Sequence, residues 1–233
     1  MIEKDRKLAQ QIYLYLAALF ITSLVVSNLI FQKFFYWYPF NGTLFGSQLF
    51  ELSVGILPYP ITFLITDLIS EIYGKKKANQ VVVAGIFSSF FSMGILLMAD
   101  AVPALENSPI DDATFEKVFS FSPLAVLASM LAYLAAQFID IKIYHFWKQL
   151  TQGRMLWLRN NFSTFTSQFL DTFLVVSLLS IFNILPWNLF WGLVLSGFLF
   201  KVIVALFDTP ILYVLVAWFR KKFQLKINEE IRL

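Results

Sequence analysis

A chain of 233 residues that is 58% hydrophobic and 14% charged, with a mean hydropathy of +0.70, carries more apolar surface than a soluble domain of its size can hide, so it calls for a bilayer as solvent. Cysteine is absent and histidine occurs once, which excludes disulfide frameworks, thiolate metal sites and H-E-x-x-H hydrolase chemistry; neither a metal nor another cofactor is expected. The pI near 9.0 raises nucleic-acid binding, a reading that the placement of the basic residues makes unnecessary.

Apolar runs of spanning length lie at 11–36, 50–73, 79–99, 121–146, 161–184 and 188–219. The predicted fold class is therefore an all-α membrane protein, a bundle of six transmembrane helices, and the spans leave no room for a second domain, so 1–233 reads as a single membrane domain. The charged opening, Glu3 to Lys7, resembles the start of a signal peptide, but the apolar run behind it is too long for a signal core and lacks an A-x-A exit, so it reads as the first anchor. Pro58 and Pro60 lie inside the second apolar stretch and predict a kinked or broken helix. The third span carries Gly85, Ser88, Ser89 and Ser92, and the fourth carries Ala125, Ser129, Ala132 and Ala136, a stripe continued by Asp140. Small residues at that spacing let helices approach closely, and a homodimer is the expected assembly. Asp-Thr recurs at 171–172 and 208–209 without any wider internal repeat. Trp37, Trp147, Trp157, Trp187, Trp191 and Trp218 fall mostly at predicted helix ends, as interfacial anchors do.

Basic residues set the orientation. Lys4, Arg6 and Lys7 precede the first span, and Lys75, Lys76 and Lys77 follow the second. Lys142, Lys148, Arg154 and Arg159 fill the next even-numbered segment, and Arg220, Lys221, Lys222, Lys226 and Arg232 close the chain. The odd loops hold Lys33 and Lys117, and the longest is acidic, with Asp100, Glu106, Asp111, Asp112 and Glu116. Fifteen of eighteen Lys and Arg thus share one side, which predicts cytoplasmic termini in a multi-pass protein of the cell (inner) membrane, with lipid and not nucleic acid as its partner.

The informative residues are charges inside spans: Asp171 in the fifth, and Lys201 and Asp208 in the sixth. Each costs about 2.5–3.5 kcal/mol at a helix centre unless paired or hydrated. Asp67 with Glu71, and Gln137 with Asp140, lie nearer the cytoplasmic ends. Helical spacing puts Asp67 and Glu71, Gln168 and Asp171, and Lys201 and Asp208 on shared faces, and the economical arrangement turns these faces to one central cavity. The plainer alternatives are an internal ion pair of Lys201 with Asp171 or Asp208, interfacial pairing of Asp67 and Glu71 with Lys75 to Lys77, and pairing of Asp140 with Lys142 or His145. His145 itself reads as a snorkelling interface residue.

Four stretches stand out: 60–75 with Asp67, Glu71, Tyr73, Gly74 and Lys75; 137–140 with Gln137 and Asp140; 157–172 with Trp157, Arg159, Asn160, Asn161, Ser163, Thr164, Ser167, Gln168, Asp171 and Thr172; and 201–213 with Lys201, Asp208, Thr209, Pro210 and Tyr213. Together they resemble the queuosine precursor transporter family, vitamin-uptake-like membrane proteins. The resemblance implies uptake of 7-cyano-7-deazaguanine or its aminomethyl relative, used to make queuosine in transfer RNA. It implies a substrate site of Asp67, Glu71, Gln137, Asp140, Gln168, Asp171, Lys201 and Asp208. A substrate-binding membrane subunit of an energy-coupling vitamin importer is the first alternative. An aspartyl intramembrane hydrolase from Asp171 and Asp208 is the second, but no G-x-G-D or G-x-S-x-G motif accompanies them, so an enzyme is not expected.

Overall fold

The apolar runs do become helices, with ends set by local chemistry. The structure is a computed structural model that describes residues 3–31, 33–36, 43–44, 47–48, 51–119, 123–183 and 185–231; Trp37 and Arg232 lie outside the described residues. Helix α1 (Glu3–Ile30) stops short of residue 36, because the chain turns at Phe31 into strand β1 (Phe34–Tyr36). Strands β2 (Thr43–Leu44) and β3 (Ser47–Gln48) pair with each other, and β1 pairs antiparallel with β4 (Glu51–Ser53), Phe35 opposite Leu52. A short aromatic run such as Phe34-Phe35-Tyr36 suits a strand, and over so few residues periodicity does not separate strand from helix.

The second apolar stretch is broken, as its prolines suggested, but not by a kink. After β4 comes a 3-10 turn (Val54–Ile56), then helix α2 (Tyr59–Ile72), whose first residues follow Pro58 and include Pro60. Proline at a helix start forfeits an N–H that has no intrahelical partner there. Gly55 in the 3-10 turn lies so close to α1 that a Cβ would sit 2.7 Å from the Ser27 carbonyl oxygen, and the Ser27 hydroxyl donates to the Gly55 carbonyl. Among the described residues the one proline beyond the first turn of a helix is Pro210, in α7.

A tight turn at Gly74 (φ +84°) leads into helix α3 (Lys75–Asp100). The acidic loop after it contains a helix the sequence did not suggest, α4 (Asp112–Phe119), capped by Asp111, whose Oδ1 accepts the Thr114 backbone N–H at 2.8 Å. Those hydrogen bonds from Thr114 hold the Asp111 carboxyl below the usual carboxylate value. Helices α5 (Pro123–Leu150), α6 (Leu156–Ile181) and α7 (Phe190–Phe223, entered through a 3-10 turn at Trp187–Leu189) complete the bundle.

Helix α5 packs most extensively on α6, α6 on α7, and α1 on α2 and α3, while α2 also touches α3, α5 and α7. Ten of the fourteen residues of α2 are buried, so this short helix is the central pillar. Gly85 admits Phe20 and Leu24 of α1 against α3, and Ala132, Ala136 and Asp140 are buried on α5. Large apolar side chains point outward, including Leu14 and Tyr15 of α1, Phe87 and Phe91 of α3, and Phe207 and Val214 of α7. Such a surface needs lipid. Among the described residues five helical segments are long and apolar enough to cross a membrane, Asp5–Ile30, Val54–Ile72, Lys75–Asp100, Leu156–Ile181 and Trp187–Phe223. The fold is that of a helical, multi-pass membrane protein.

The buried face of α6 inverts the usual pattern. On α6 the buried residues include Arg159, Asn160, Ser163, Thr164, Ser167, Gln168, Asp171 and Thr172, a polar stripe recurring at helical spacing. Trp147, Trp157, Trp187, Trp191 and Trp218 all sit at helix ends or in the turn before α7, as anchors should.

Candidate functional site

Four-residue steps along α2 carry Tyr59, Phe63, Asp67 and Glu71 down one face, about 6 Å of helix per step. Helices α5 and α7 run the same way beside it and α6 runs the opposite way, so their polar residues meet α2 in three successive levels.

At the first level Lys201 of α7 donates to Asp171 Oδ2 of α6 at 2.6 Å. Its Nζ lies 4.6 Å from the centre of the Tyr59 ring, a cation–π contact. Tyr59 meets Tyr133 edge-on at 5.3 Å and Phe63 at 5.4 Å, and the Tyr133 hydroxyl accepts from Gln137 Nε2 at 2.9 Å. Asp171 Oδ1 and Gln137 Oε1 are buried and accept from no described group.

The second level holds Asp67 and Asp140, whose carboxyl groups face each other. One turn of α6 serves both: Ser167 donates to Asp140 Oδ1 at 2.9 Å, and Thr164 approaches Asp67 Oδ2 at 3.5 Å. Asp67 Oδ1, Asp140 Oδ2 and Gln168 Oε1 accept from no described group, and no cation pairs with either carboxylate among the described residues.

The third level is the reverse, a carboxylate crowded by cations. Glu71 meets Arg159 at 2.7 Å, Arg220 at 2.6 Å, the Tyr144 hydroxyl at 3.1 Å and Lys148 at 3.8 Å. Arg159 is fully buried, and Lys148 also donates to the Ser70 and Glu71 carbonyls and pairs with Glu230 of the C-terminal tail at 2.8 Å. That tail returns to the bundle: the Ile231 N–H donates to the Ile72 carbonyl at 2.7 Å and the Ile231 side chain is buried in the core. Gly74 and Gly153, both at positive φ, leave the room that Glu230 and Asn228 occupy.

Two small cavities flank Tyr59, one of about 80 Å³ bounded by Asn28, Ser89, Tyr133 and Asp171, the other of about 20 Å³ bounded by Phe63, Gln168, Lys201 and Asp208. Neither reaches the roughly 300 Å³ at which ligand pockets begin. The bundle is closed around the polar layers, and admitting a ligand larger than these cavities requires the helices that meet at Tyr59 to part.

Residues 53–215 match the family model described as "Putative vitamin uptake transporter". The chain belongs to this vitamin uptake transporter family. It is 31% identical over 173 residues to a Bacillus subtilis (strain 168) protein named "Probable queuosine precursor transporter", covering 71% of this chain and 73% of that one. No solved structure matches. Both names describe transport, in line with the resemblance seen in the four stretches. All eight expected site residues fall inside the part that matches the family model.

The geometry sorts those eight. Asp171 with Lys201, and Asp67 with Asp140, Gln137 and Gln168, gather at the first two levels, and Asp208 borders the smaller cavity. Of the plainer alternatives the Lys201–Asp171 ion pair is present, whereas Asp140 turns to Ser167 and Asp67 and away from Lys142 and His145. Glu71 is paired with Arg159, Arg220 and Lys148, and Lys75 and Lys76 are exposed. His145 is buried at 9% exposure, not snorkelling. Sequence reasoning missed Tyr59, Tyr133, Ser167 and Thr164 as site neighbours, treated Lys148 and Arg220 only as topology signals, and took Arg159 as a topology signal and part of a family stretch but not as a site residue. The three-to-four residue spacing of polar residues from Arg159 to Thr172 was the available clue.

Proposed function

We propose that this transporter carries a queuosine precursor, 7-cyano-7-deazaguanine or its 7-aminomethyl relative, inward across the cell (inner) membrane. The observation that carries this reading is the donor–acceptor pair of Lys201 and Asp171 beside an aromatic platform. The edge of a deazaguanine ring offers a carbonyl oxygen, a ring N–H and an exocyclic amine side by side. Lys201 or Gln168 serves the carbonyl as donor, and the Asp171 carboxylate accepts from the two donors in bidentate fashion. Tyr59, already facing the Lys201 ammonium, stacks on the ring. A cationic aminomethyl arm would turn to Asp208, which borders the same cavity. Asp67, Gln137 and Asp140 close the far side, and Glu71 anchors the floor through its cations.

In this reading α5 also crosses the membrane, as the fourth of six spans, and both termini are cytoplasmic, supported by the basic clusters at Lys75–Lys77, Lys142–Arg159 and Arg220–Lys226. The single domain sits in lipid, with a homodimer as the proposed assembly.

The test uses cells unable to make 7-cyano-7-deazaguanine, fed that compound, with queuosine in their transfer RNA as readout. The wild-type chain expressed alone should restore queuosine, and Asp171→Asn at matched membrane level should not. Restoration that needs an added ATPase module would favour the vitamin-importer subunit, and no restoration by inserted wild type would refute the substrate assignment.

A further inference from the structure

The three levels differ in their charge balance. Asp171 is matched by Lys201, and Glu71 faces three cations, one of them shared with Glu230. Between them Asp67 and Asp140, 3% and 0% exposed, face each other with one unpartnered oxygen apiece and hydroxyl groups as their nearest donors. Among the described residues no cation pairs with either carboxyl. Helix α7 brings Asp208, another carboxyl, toward Asp67. Helix α5 brings Tyr133 and Gln137 above and Tyr144 below, the last held by Glu71 and Arg159. Helix α6 adds Ser163, with Arg159 and Asp171 already engaged. Helices α1 and α3 contribute Phe20, Leu24, Val81 and Val82 to the apolar core that includes Leu68 and Ile69 of α2.

Two ionised carboxylates pressed together away from water repel each other and forgo hydration, so such a pair holds a proton between its oxygens. That proton would make the two facing acceptors a hydrogen bond, which is what the unpartnered oxygens lack. We propose that Asp67 and Asp140 form a proton-binding site and that inward passage of the substrate carries that proton with it. This coupling rests on the transport reading above. The proton enters from outside with the substrate, resides on the carboxyl pair one helical turn from the Lys201–Asp171 level, and leaves to the cytoplasm when the substrate does. No covalent bond of the substrate changes. Ser167 and Thr164 hold the two carboxyls in register from a single turn of α6, so movement of α6 on opening would part them and release the proton.

Full-length protein purified into proteoliposomes is given external 7-cyano-7-deazaguanine under an inward proton gradient, an inward sodium gradient or neither. Infrared spectra of the same preparation are taken in light and heavy water. Uptake should follow the proton gradient, about tenfold accumulation for each pH unit at one proton per substrate, the equivalent of about 1.4 kcal/mol. Asp67→Asn and Asp140→Asn should bring the ratio of gradient-driven to gradient-free uptake to unity. The wild-type spectrum at neutral pH should contain a protonated-carboxyl C=O band that shifts in heavy water and weakens in both variants. Uptake indifferent to protons, or driven by sodium, overturns the proposal and leaves the substrate reading standing. Absence of uptake in every arm overturns the substrate reading instead, and the infrared arm then decides. A wild-type spectrum without the band refutes the proton site, and a band lost in the variants upholds it.

Discussion

The Glu71 level and the Asp67–Asp140 level are one turn of α2 apart and equally buried, yet they are opposite solutions to charge in a membrane. Around Glu71 each carboxylate oxygen has cationic or hydroxyl partners, groups from α5, α6 and α7 converge on it, and the tail's Glu230 shares Lys148 with it. Around Asp67 acceptors face acceptors, and Asp67, Gln137, Asp140, Gln168 and Asp171 each keep a buried oxygen without a described donor. A fully satisfied cluster fastens helices. One that is short of donors costs stability, at about 1–3 kcal/mol for each unsatisfied polar group, and is suited to a ligand rich in N–H groups.

Substitutions can break or sharpen that contrast. The largest effect is expected for Glu71→Gln, which takes the carboxylate from Arg159 and Arg220 and leaves Lys148 with Glu230 alone. Loss of one partner from a buried pair costs about 3–5 kcal/mol, so thermal unfolding in detergent should show a large fall in stability and little protein should reach the membrane. Ile231→Ala removes the tail's buried anchor beside the same cluster and should cost about 2 kcal/mol or more by the same assay. Asp171→Asn with Lys201→Gln replaces an ion pair by a neutral hydrogen-bonded pair. Stability should change by about 1 kcal/mol or less, while queuosine salvage disappears. Asp67→Asn should shift stability least, since its amide N–H can stand in for the shared proton as donor to Asp140; melting curves that show it as damaging as Glu71→Gln would erase the distinction between the levels.

Much of this was legible in the sequence, and what was not has identifiable causes. Helix positions followed from apolar runs, and the in-membrane charges picked out Asp171 and Lys201 because nothing but pairing or function recovers their cost. The strands at Phe34–Tyr36 and Glu51–Ser53 were hidden inside apolar stretches that read equally as span ends. Helix α4 was hidden because a surface helix of eight residues leaves a weak pattern in an acidic loop. Arg159 and Lys148 satisfied the orientation rule by count, which says nothing about whether a cation faces solvent or a buried glutamate. The tail's return was invisible because only tertiary contact distinguishes Glu230 and Ile231 from any polar terminus.

Ligand-dependent thermal unfolding of the purified chain tests most directly whether the donor-poor levels exist for a ligand. With 7-cyano-7-deazaguanine at about a hundred times its dissociation constant, the wild type should gain about 2.7 kcal/mol, and the Asp171→Asn, Lys201→Gln double variant should gain nothing while melting near the ligand-free wild type. Equal stabilisation of both proteins, or of neither, would contradict the account.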